Sequence, residues 1–389
     1  MLSTAKSRVT ALDALRGLAM VIMALDHVRD FFHADAFRFQ PDDLTRTTIA
    51  LFLTRWISHF CAPVFMFTAG ASAFLWFRSG HSKIELSHYL LKRGLWLVLL
   101  ELTVLRLALI FNVLSGPILL TVLWALGWSM VALASLSRLP VRVLAMVSVL
   151  VIAFHNLADP ASSTSALWVV LHRQGVINLA GVLVVVAYPL IPWIAVMSAG
   201  FCFGRVLVMD RDKRQKWLLR LGTGVTLAFV ILRAANTYGD PQPWSTQTST
   251  AYTVLSFFRC SKYPPSLDFL LMTLGPGMLL LAWFYRIGLP HSNPLVVIGR
   301  VPLFYFLGHM FLAHALTIPF ALAYYGRAAF LLSPPPGAGG PTSAYPADYG
   351  YSLLTVYLVW VMVVVVMYPL CLWFGRLKSQ SQNPWLQYL

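Results

Sequence analysis

Apolar runs long enough to cross a lipid bilayer recur from one end of this sequence to the other, and that feature closes off most folds. A helical span needs about 20 predominantly apolar residues. Such runs lie near 12–32, 51–77, 91–112, 117–136, 141–158, 180–208, 217–236, 267–285, 299–324 and 351–374. The expected fold is therefore all-α, a polytopic integral membrane protein of about ten transmembrane helices in a single domain over residues 1–389. The sixth run, "VLVVVAYPLIPWIAVMSAGFCFG", holds two prolines that kink it or mark a re-entrant segment, leaving room for an eleventh helix. The period-two alternation of a membrane barrel is missing, and no internal repeat is visible. The first run has no small-residue cleavage site and reads as a retained span.

Charge orients these runs. Only 11% of the residues are charged and 58% are hydrophobic, against about a quarter charged in a soluble protein. The net charge of +15 would suggest nucleic acid in a soluble chain; here the positive-inside rule accounts for it. With a cytoplasmic N-terminus, eighteen of the 29 Lys and Arg residues fall in inner segments, starting with Lys6 and Arg8, and six in outer ones. Both termini are thus expected inside. The basic run "RDKRQK" at 211–216 reads as a topological anchor, 333–350 as a Pro/Gly-rich outer loop that partly covers the outer face, and 375–389 as a cytoplasmic tail. Cys61, Cys202, Cys260 and Cys371 are scattered without a CxxC pair or a nearby histidine at ligand spacing, so no metal is expected.

The first run, "ALRGLAMVIMALDHVRDFFH", carries charges inside a stretch that is otherwise apolar enough to enter a membrane. Ionisable residues in a span face the bundle interior or a wet cavity and are functional candidates by default. Asp13, Arg16, Met20, Met23, His27 and Asp30 follow 3,4,3,4,3 spacing, which draws one stripe down one helix face. Arg16 and His27 are about 20° out of phase and about 16 Å apart along the axis. A guanidinium suits phosphate or carboxylate, and a histidine beside a carboxylate suits general-base work. That separation matches the reach of an extended phosphopantetheine arm, so coenzyme A is expected to bind with its phosphates near Arg16 (paired with Asp13) and its thioester at His27. The alternative is that Asp13 and Arg16 only pair with each other while His27 bonds a neighbouring helix. The topology also brings His59, Arg106, Asn112, Arg233, Asn236, Asp268 and His314 to the outer half, with Lys262 in the adjoining loop. One buried polar residue is usually structural glue; so many at one depth read as a wet, substrate-binding site.

These residues resemble a family. "LDALRGLAMVIMALDH" is similar to the opening signature of the bacterial relatives of heparan-α-glucosaminide N-acetyltransferase, and its Arg16, ten residues, His27 spacing is shared with the acyltransferase-3 enzymes. "APVFMFTAGASAFL" resembles the second-helix signature, and "YPLIPWIAVMSAGFCFGR", "KYPPSLDFLLMTLGP", "GRVPLFYFLGHMFLAHAL" and "NPWLQYL" resemble the later ones, in colinear order over nearly the whole chain.

The resemblance implies a bacterial inner-membrane acyltransferase that takes an acyl group, usually acetyl, from cytosolic acetyl-CoA or another acyl-CoA. It delivers that group to a sugar amine or hydroxyl, or another envelope acceptor, at the far face. His27 carries over as the catalytic histidine and Arg16 as its motif partner. In the lysosomal enzyme the essential histidine lies in the outer loop after the first helix, where this sequence offers His33; His59 begins the next helix. His27 is the first choice and His33 the rival. His27 acts as general base or transient acyl carrier with Asp26 or Asp30 tuning it, while Arg106, Arg233 and Lys262 position a sugar or stabilise the thioester oxyanion. Expected partners are membrane lipids, acyl-CoA and a glycan or small-molecule acceptor, not nucleic acid; a homodimer is compatible with the sequence. Two other readings remain, a transporter coupled through the same buried charges and a non-catalytic membrane scaffold.

Overall fold

A computed structural model describes residues 2–112, 116–159, 165–336 and 340–381, with side chains from Thr10 onward. Lys6 and Arg8, whose side chains precede Thr10, and the closing "NPWLQYL" lie outside what it describes.

A helix occupies each of the ten apolar runs. α1 spans Leu2–Phe32; α2 (Ile49–Ser58) and α3 (Cys61–Arg78) follow with a joint at His59 and Phe60. α4 (Lys83–Leu100) starts on a capping box, Ser82 accepting from the Glu85 amide while the Glu85 carboxylate takes the Ser82 N–H. A wide turn at Glu101–Leu105 leads into the short α5 (Arg106–Ile110). Then come β1 (Ile118–Leu120), α6 (Val122–Leu136), α7 (Val141–Phe154), α8 (Ala166–Leu171), β2 (Gly175–Leu179) and β3 (Val182–Val186). The remainder is helical: α9 (Leu190–Leu207), α10 (Arg211–Ala235), α11 (Thr250–Phe258), α12 (Leu267–Ile287), α13 (Pro294–Arg300), α14 (Pro302–Tyr325) and α15 (Leu353–Gln380).

Among the described residues, seven helical segments are long and apolar enough to cross a membrane: Ile49–Arg78, Val141–Ala158, Leu190–Leu207, Arg211–Ala235, Leu267–Ile287, Pro302–Tyr325 and Leu353–Gln380. α1, α4 and α6 fill the other expected positions. The first holds Asp13, Arg16, Asp26, Arg29 and Asp30, the second Lys92 and Arg93, and the third is only 15 residues long.

The all-α expectation needs one correction. β1 pairs in parallel with β3, and β3 pairs antiparallel with β2, giving a three-stranded sheet in the order β1-β3-β2. Residues 180–189, expected to open the sixth span, are instead a two-residue turn and a strand, and the helix starts at Leu190. Ala180 and Gly181 both have positive φ, 50° and 91°, the geometry that lets a hairpin close in two residues. The following "VLVVV" is dominated by β-branched side chains that suit a strand. The run at 117–136 is corrected in the same way, its first residues forming β1.

α1 is the hub, packed against α3, α12, α13, α14 and α15. Its approach to α13 is so close that a Cβ at Gly17 would collide with the Leu295 carbonyl, and one at Gly299 with the Asp13 carbonyl. Small residues at such crossings let backbones touch and gain dispersion contacts where lipid supplies no hydrophobic drive.

Glu101 is 2% exposed, and it caps α6. Its oxygens accept from the amides of Thr121 (2.8 Å), Leu123 (3.0 Å) and Trp124 (3.1 Å) and from Thr121 Oγ1 (2.7 Å). A helix start leaves its first N–H groups without partners and carries positive dipole charge, so these four donors offset the cost of burying the carboxylate.

Candidate active site

Two cavities lie along the stripe on α1. The larger of the two, about 660 Å³, lies at the His27 end and is lined by Asp26, His27 and Asp30 together with Arg55, His59 and Lys262. The smaller, about 280 Å³ and mostly apolar, lies at the Arg16 end and is lined by Arg16, Met20 and Met23 with Tyr89 and Arg93. Val122 and Phe306 line both, so they form the wall between them. The sheet helps to build the larger cavity, the chamber, through Leu119, Val185 and the following Tyr188. Pro335 and Pro336 of the Pro/Gly-rich loop also reach it. That loop is held by Tyr345, bonded to the Ser333 carbonyl at 2.8 Å, and by Tyr349, bonded to the Phe31 carbonyl at 3.1 Å.

His27 Nδ1 lies 2.8 Å from His309 Nε2, and His309 Nδ1 lies 2.8 Å from the Tyr305 carbonyl oxygen. His309, on α14, was not among the residues expected from sequence. The direct partner of His27 is thus another histidine, where the sequence suggested a carboxylate. A carbonyl only accepts, so His309 Nδ1 carries its proton and, in the neutral ring, Nε2 accepts. His27 then donates through Nδ1–H, and its Nε2 is the basic nitrogen left for the chamber.

Asp26 has a different task. Its carboxylate is 2.6 Å from Arg29 Nη1, 2.9 Å from Arg55 Nη1 and 3.9 Å from Lys262 Nζ. One buried anion therefore holds three cations from α1, α2 and the loop before α12. Arg29 also meets Asp30 at 2.6 Å. Beside Lys262, burial would push the Tyr263 phenol up, yet Lys262 and Arg55 hold it below its ordinary value. Arg29 and Arg55 are further residues not singled out as site groups from the sequence, although their place within spans was a signal.

At the inner end, Arg16 bonds Asp13 at 3.0 Å, Ser72 Oγ at 2.8 Å and the Gly299 carbonyl at 3.4 Å. Asp13 pairs with Arg16 and is absent from the lining of both cavities.

His33, the rival histidine, is absent from the lining of both cavities. Its Nδ1 is 3.1 Å from the Tyr351 carbonyl and its Nε2 3.6 Å from Asp35, so it pins the end of α1 to the segment before α15. Burial lowers its pKa.

Five other expected substrate contacts also hold structure instead of lining the chamber. Arg106 bonds the Gly116 and Pro117 carbonyls. Arg233 bonds the carbonyls of Gln242, Ser256, Phe257 and Arg259, and stands 3.6 Å from Asp268. Asn236 exchanges two hydrogen bonds with the Trp244 backbone. His314 lies between the carbonyls of Ala108 and Leu331, stacked on Phe111. Loop carbonyls at the ends of spans need donors when water is excluded, and these side chains supply them. Asn112 likewise does not line the chamber.

The model of the family described as heparan-alpha-glucosaminide N-acetyltransferase, catalytic, matches residues 8–240, more than half of the chain. The chain belongs to this family. A comparison with curated proteins finds no match. The matched region carries Arg16, Asp26, His27, Arg55, His59 and the sheet, whereas Lys262, Phe306 and His309 lie beyond it. The chamber of this heparan-alpha-glucosaminide N-acetyltransferase-like protein is thus closed by segments on both sides of the match boundary.

Proposed function

We propose that this protein is a multi-pass membrane acyltransferase. It takes an acyl group, in the first instance acetyl, from acyl-CoA and transfers it to an amine or hydroxyl of a glycan or other cell-envelope acceptor. The observation that carries this reading is the continuous line from Arg16 past Met20 and Met23 to His27, with one cavity at each end and a shared wall of Val122 and Phe306. Family membership supports the acetyltransferase chemistry.

In this reading both termini are cytoplasmic, about ten helices cross a bacterial inner membrane, and the inner cavity admits the pantetheine arm with the CoA phosphates near Arg16. The acceptor enters the outer chamber. His27 Nε2 takes the proton from the acceptor N–H or O–H as that atom attacks the thioester carbonyl. The carbonyl electrons move onto oxygen, and Lys262, one of the cations that line the chamber, donates to that charge. Collapse breaks the C–S bond, and the CoA sulfur leaves with the proton that His27 holds. His309 keeps the His27 ring in the tautomer that has Nε2 free, and Asp26 keeps three cations from driving protons off the imidazole at close range. The segments around Lys262 and His59 contact the acceptor, and Asp30 continues the α1 face toward it.

Purified full-length protein incubated with [14C]acetyl-CoA is expected to release CoA and label an amino-sugar acceptor. His27→Ala is expected to slow both by about 10²–10⁴-fold in protein that remains folded. Movement of an intact solute across a vesicle membrane with no acyl chemistry would sink the enzyme reading in favour of a transporter.

A further inference from the structure

Away from the chamber, the end of α7 and the end of α8 bring together two histidines and an aspartate. His155 opens a single turn of 3-10 helix, Asp159 follows it, and His172 ends α8, in the pattern H-x3-D-x12-H. A nitrogen from each ring and a carboxylate oxygen all lie within 4.8 Å of one another. His172 Nε2 is 2.9 Å from Asp159 Oδ1, and the rings of His155 and His172 are 5.6 Å apart at 70°. None of the three lines the chamber.

His155 makes this more than a hydrogen-bonded pair. It is 7% exposed, and neither of its ring nitrogens has a hydrogen-bond partner among the described residues. An imidazole buried with no bond on either nitrogen forfeits its hydration with no return. A group with an empty orbital removes that penalty by taking a nitrogen lone pair.

We propose that His155, Asp159 and His172 form a binding site for a divalent transition metal ion of the zinc class. Two imidazoles and one carboxylate are the donor set that such borderline ions take, with a water completing four-coordination. The carboxylate is already oriented, since Asn156 Nδ2 donates to Asp159 Oδ2 at 2.7 Å. Ligands of a tetrahedral zinc stand roughly 3.4 Å apart, so no gap in the cluster, all of them within 4.8 Å, needs to close by more than about 1.4 Å on binding.

The site is placed to staple the outer lobe. Asn156 Oδ1 accepts from the Leu267 amide at the start of α12, and Tyr238, just past α10, bonds the Ala153 carbonyl at 2.6 Å. On the other side, His172 is two residues before Gln174, which lines the chamber, and three before β2. A metal here joins the end of α7 to the end of α8, with Asn156 tying both to the start of α12. It contains no cysteine, so the scattered thiols give no sign of it.

The test uses untagged full-length protein in detergent, stripped with a chelator and then titrated with Co²⁺. The expected result is one Co²⁺ per chain with visible d–d absorption, displaced by one equivalent of Zn²⁺. Zn²⁺ should raise the melting temperature of the stripped protein by an amount on the order of 3 °C. His155→Ala and His172→Gln should each lose the absorption and the thermal shift, and Asp159→Asn should weaken both. The wild-type titration stands whether or not a variant folds. The proposal is overturned if stripped wild-type protein shows neither absorption nor thermal shift. It is equally overturned if His155→Ala and His172→Gln keep the wild-type spectrum, since the ion is then held by other histidines.

Discussion

His27 and His309 lie 282 residues apart in the chain and 2.8 Å apart in space, joined Nδ1 to Nε2. Because His309 is anchored on the Tyr305 carbonyl, the pair has a direction: protons on the Nδ1 atoms, a lone pair on His27 Nε2. Removing the base, His27→Ala, should lower kcat for acyl transfer by about 10²–10⁴-fold. His309→Phe should cost less but still at least about tenfold, and His309→Gln, whose amide oxygen accepts from Nδ1–H, should recover part of that. Steady-state kinetics check it; wild-type kcat in His309→Phe contradicts the pairing.

Asp26→Asn leaves Arg29, Arg55 and Lys262 without their shared anion. Breaking one partner of a buried ion network costs about 3–5 kcal/mol. The variant is expected to melt well below wild type in the same detergent, and an unchanged melting temperature contradicts the hub role.

Arg16→Ala tests the donor end. A charged hydrogen bond to a phosphate is worth about 1.5–3 kcal/mol, so KM and Kd for acyl-CoA should rise about 10- to 100-fold, with a smaller change in kcat. Arg16→Lys should fall between. Calorimetric titration separates binding from folding, and unaltered affinity in folded Arg16→Ala would refute the donor path.

Phe306 stands between the two cavities. Phe306→Leu thins that wall, and the expected outcome is faster release of free CoA with no acceptor present, read with a thiol reagent. Phe306→Trp should slow transfer with little effect on acyl-CoA affinity. Identical rates in all three proteins would remove the wall from the mechanism.

His33, just past the end of α1, has a pKa lowered from the ordinary 6.5 by burial, against the raising effects of the Tyr351 carbonyl and Asp35. The unfolded chain therefore binds a proton before the folded one does. Stability from this group is complete above pH 6.5 and is lost as pH falls through the lowered folded value. Wild-type protein should melt at lower temperature as the buffer goes from pH 7 to pH 5, and His33→Gln should lose part of that dependence while keeping acyl-transfer activity. Loss of activity in His33→Gln would restore it as the rival histidine.

The helices were legible because a run of about 20 apolar residues has few alternatives in a bilayer. The sheet was not, since "VLVVV" reads equally as the start of a buried helix by periodicity; the Ala180–Gly181 turn and the β-branched run were the signals that distinguish it. Within the site, the stripe from Arg16 to His27 was readable because i, i+3 and i, i+4 neighbours share a face of one helix whatever surrounds it. His309 was not, because its role comes from how α14 lies against α1. Arg233, Asn236 and His314 stand out in the sequence as polar residues at membrane depth, which marks them as candidates without naming their partners. Their partners are backbone carbonyls, which carry no sequence signature.

The distance along the chain between His27 and His309 also has a consequence for how the protein is made. α1 is made well before α14, which is next to last among the described helices. Until α14 arrives, His27 has no His309 to set its tautomer, and both cavities lack the Phe306 wall that separates them. A nascent chain halted before that point carries His27 without the histidine that orients it, so the His27–His309 pair is assembled only late in synthesis.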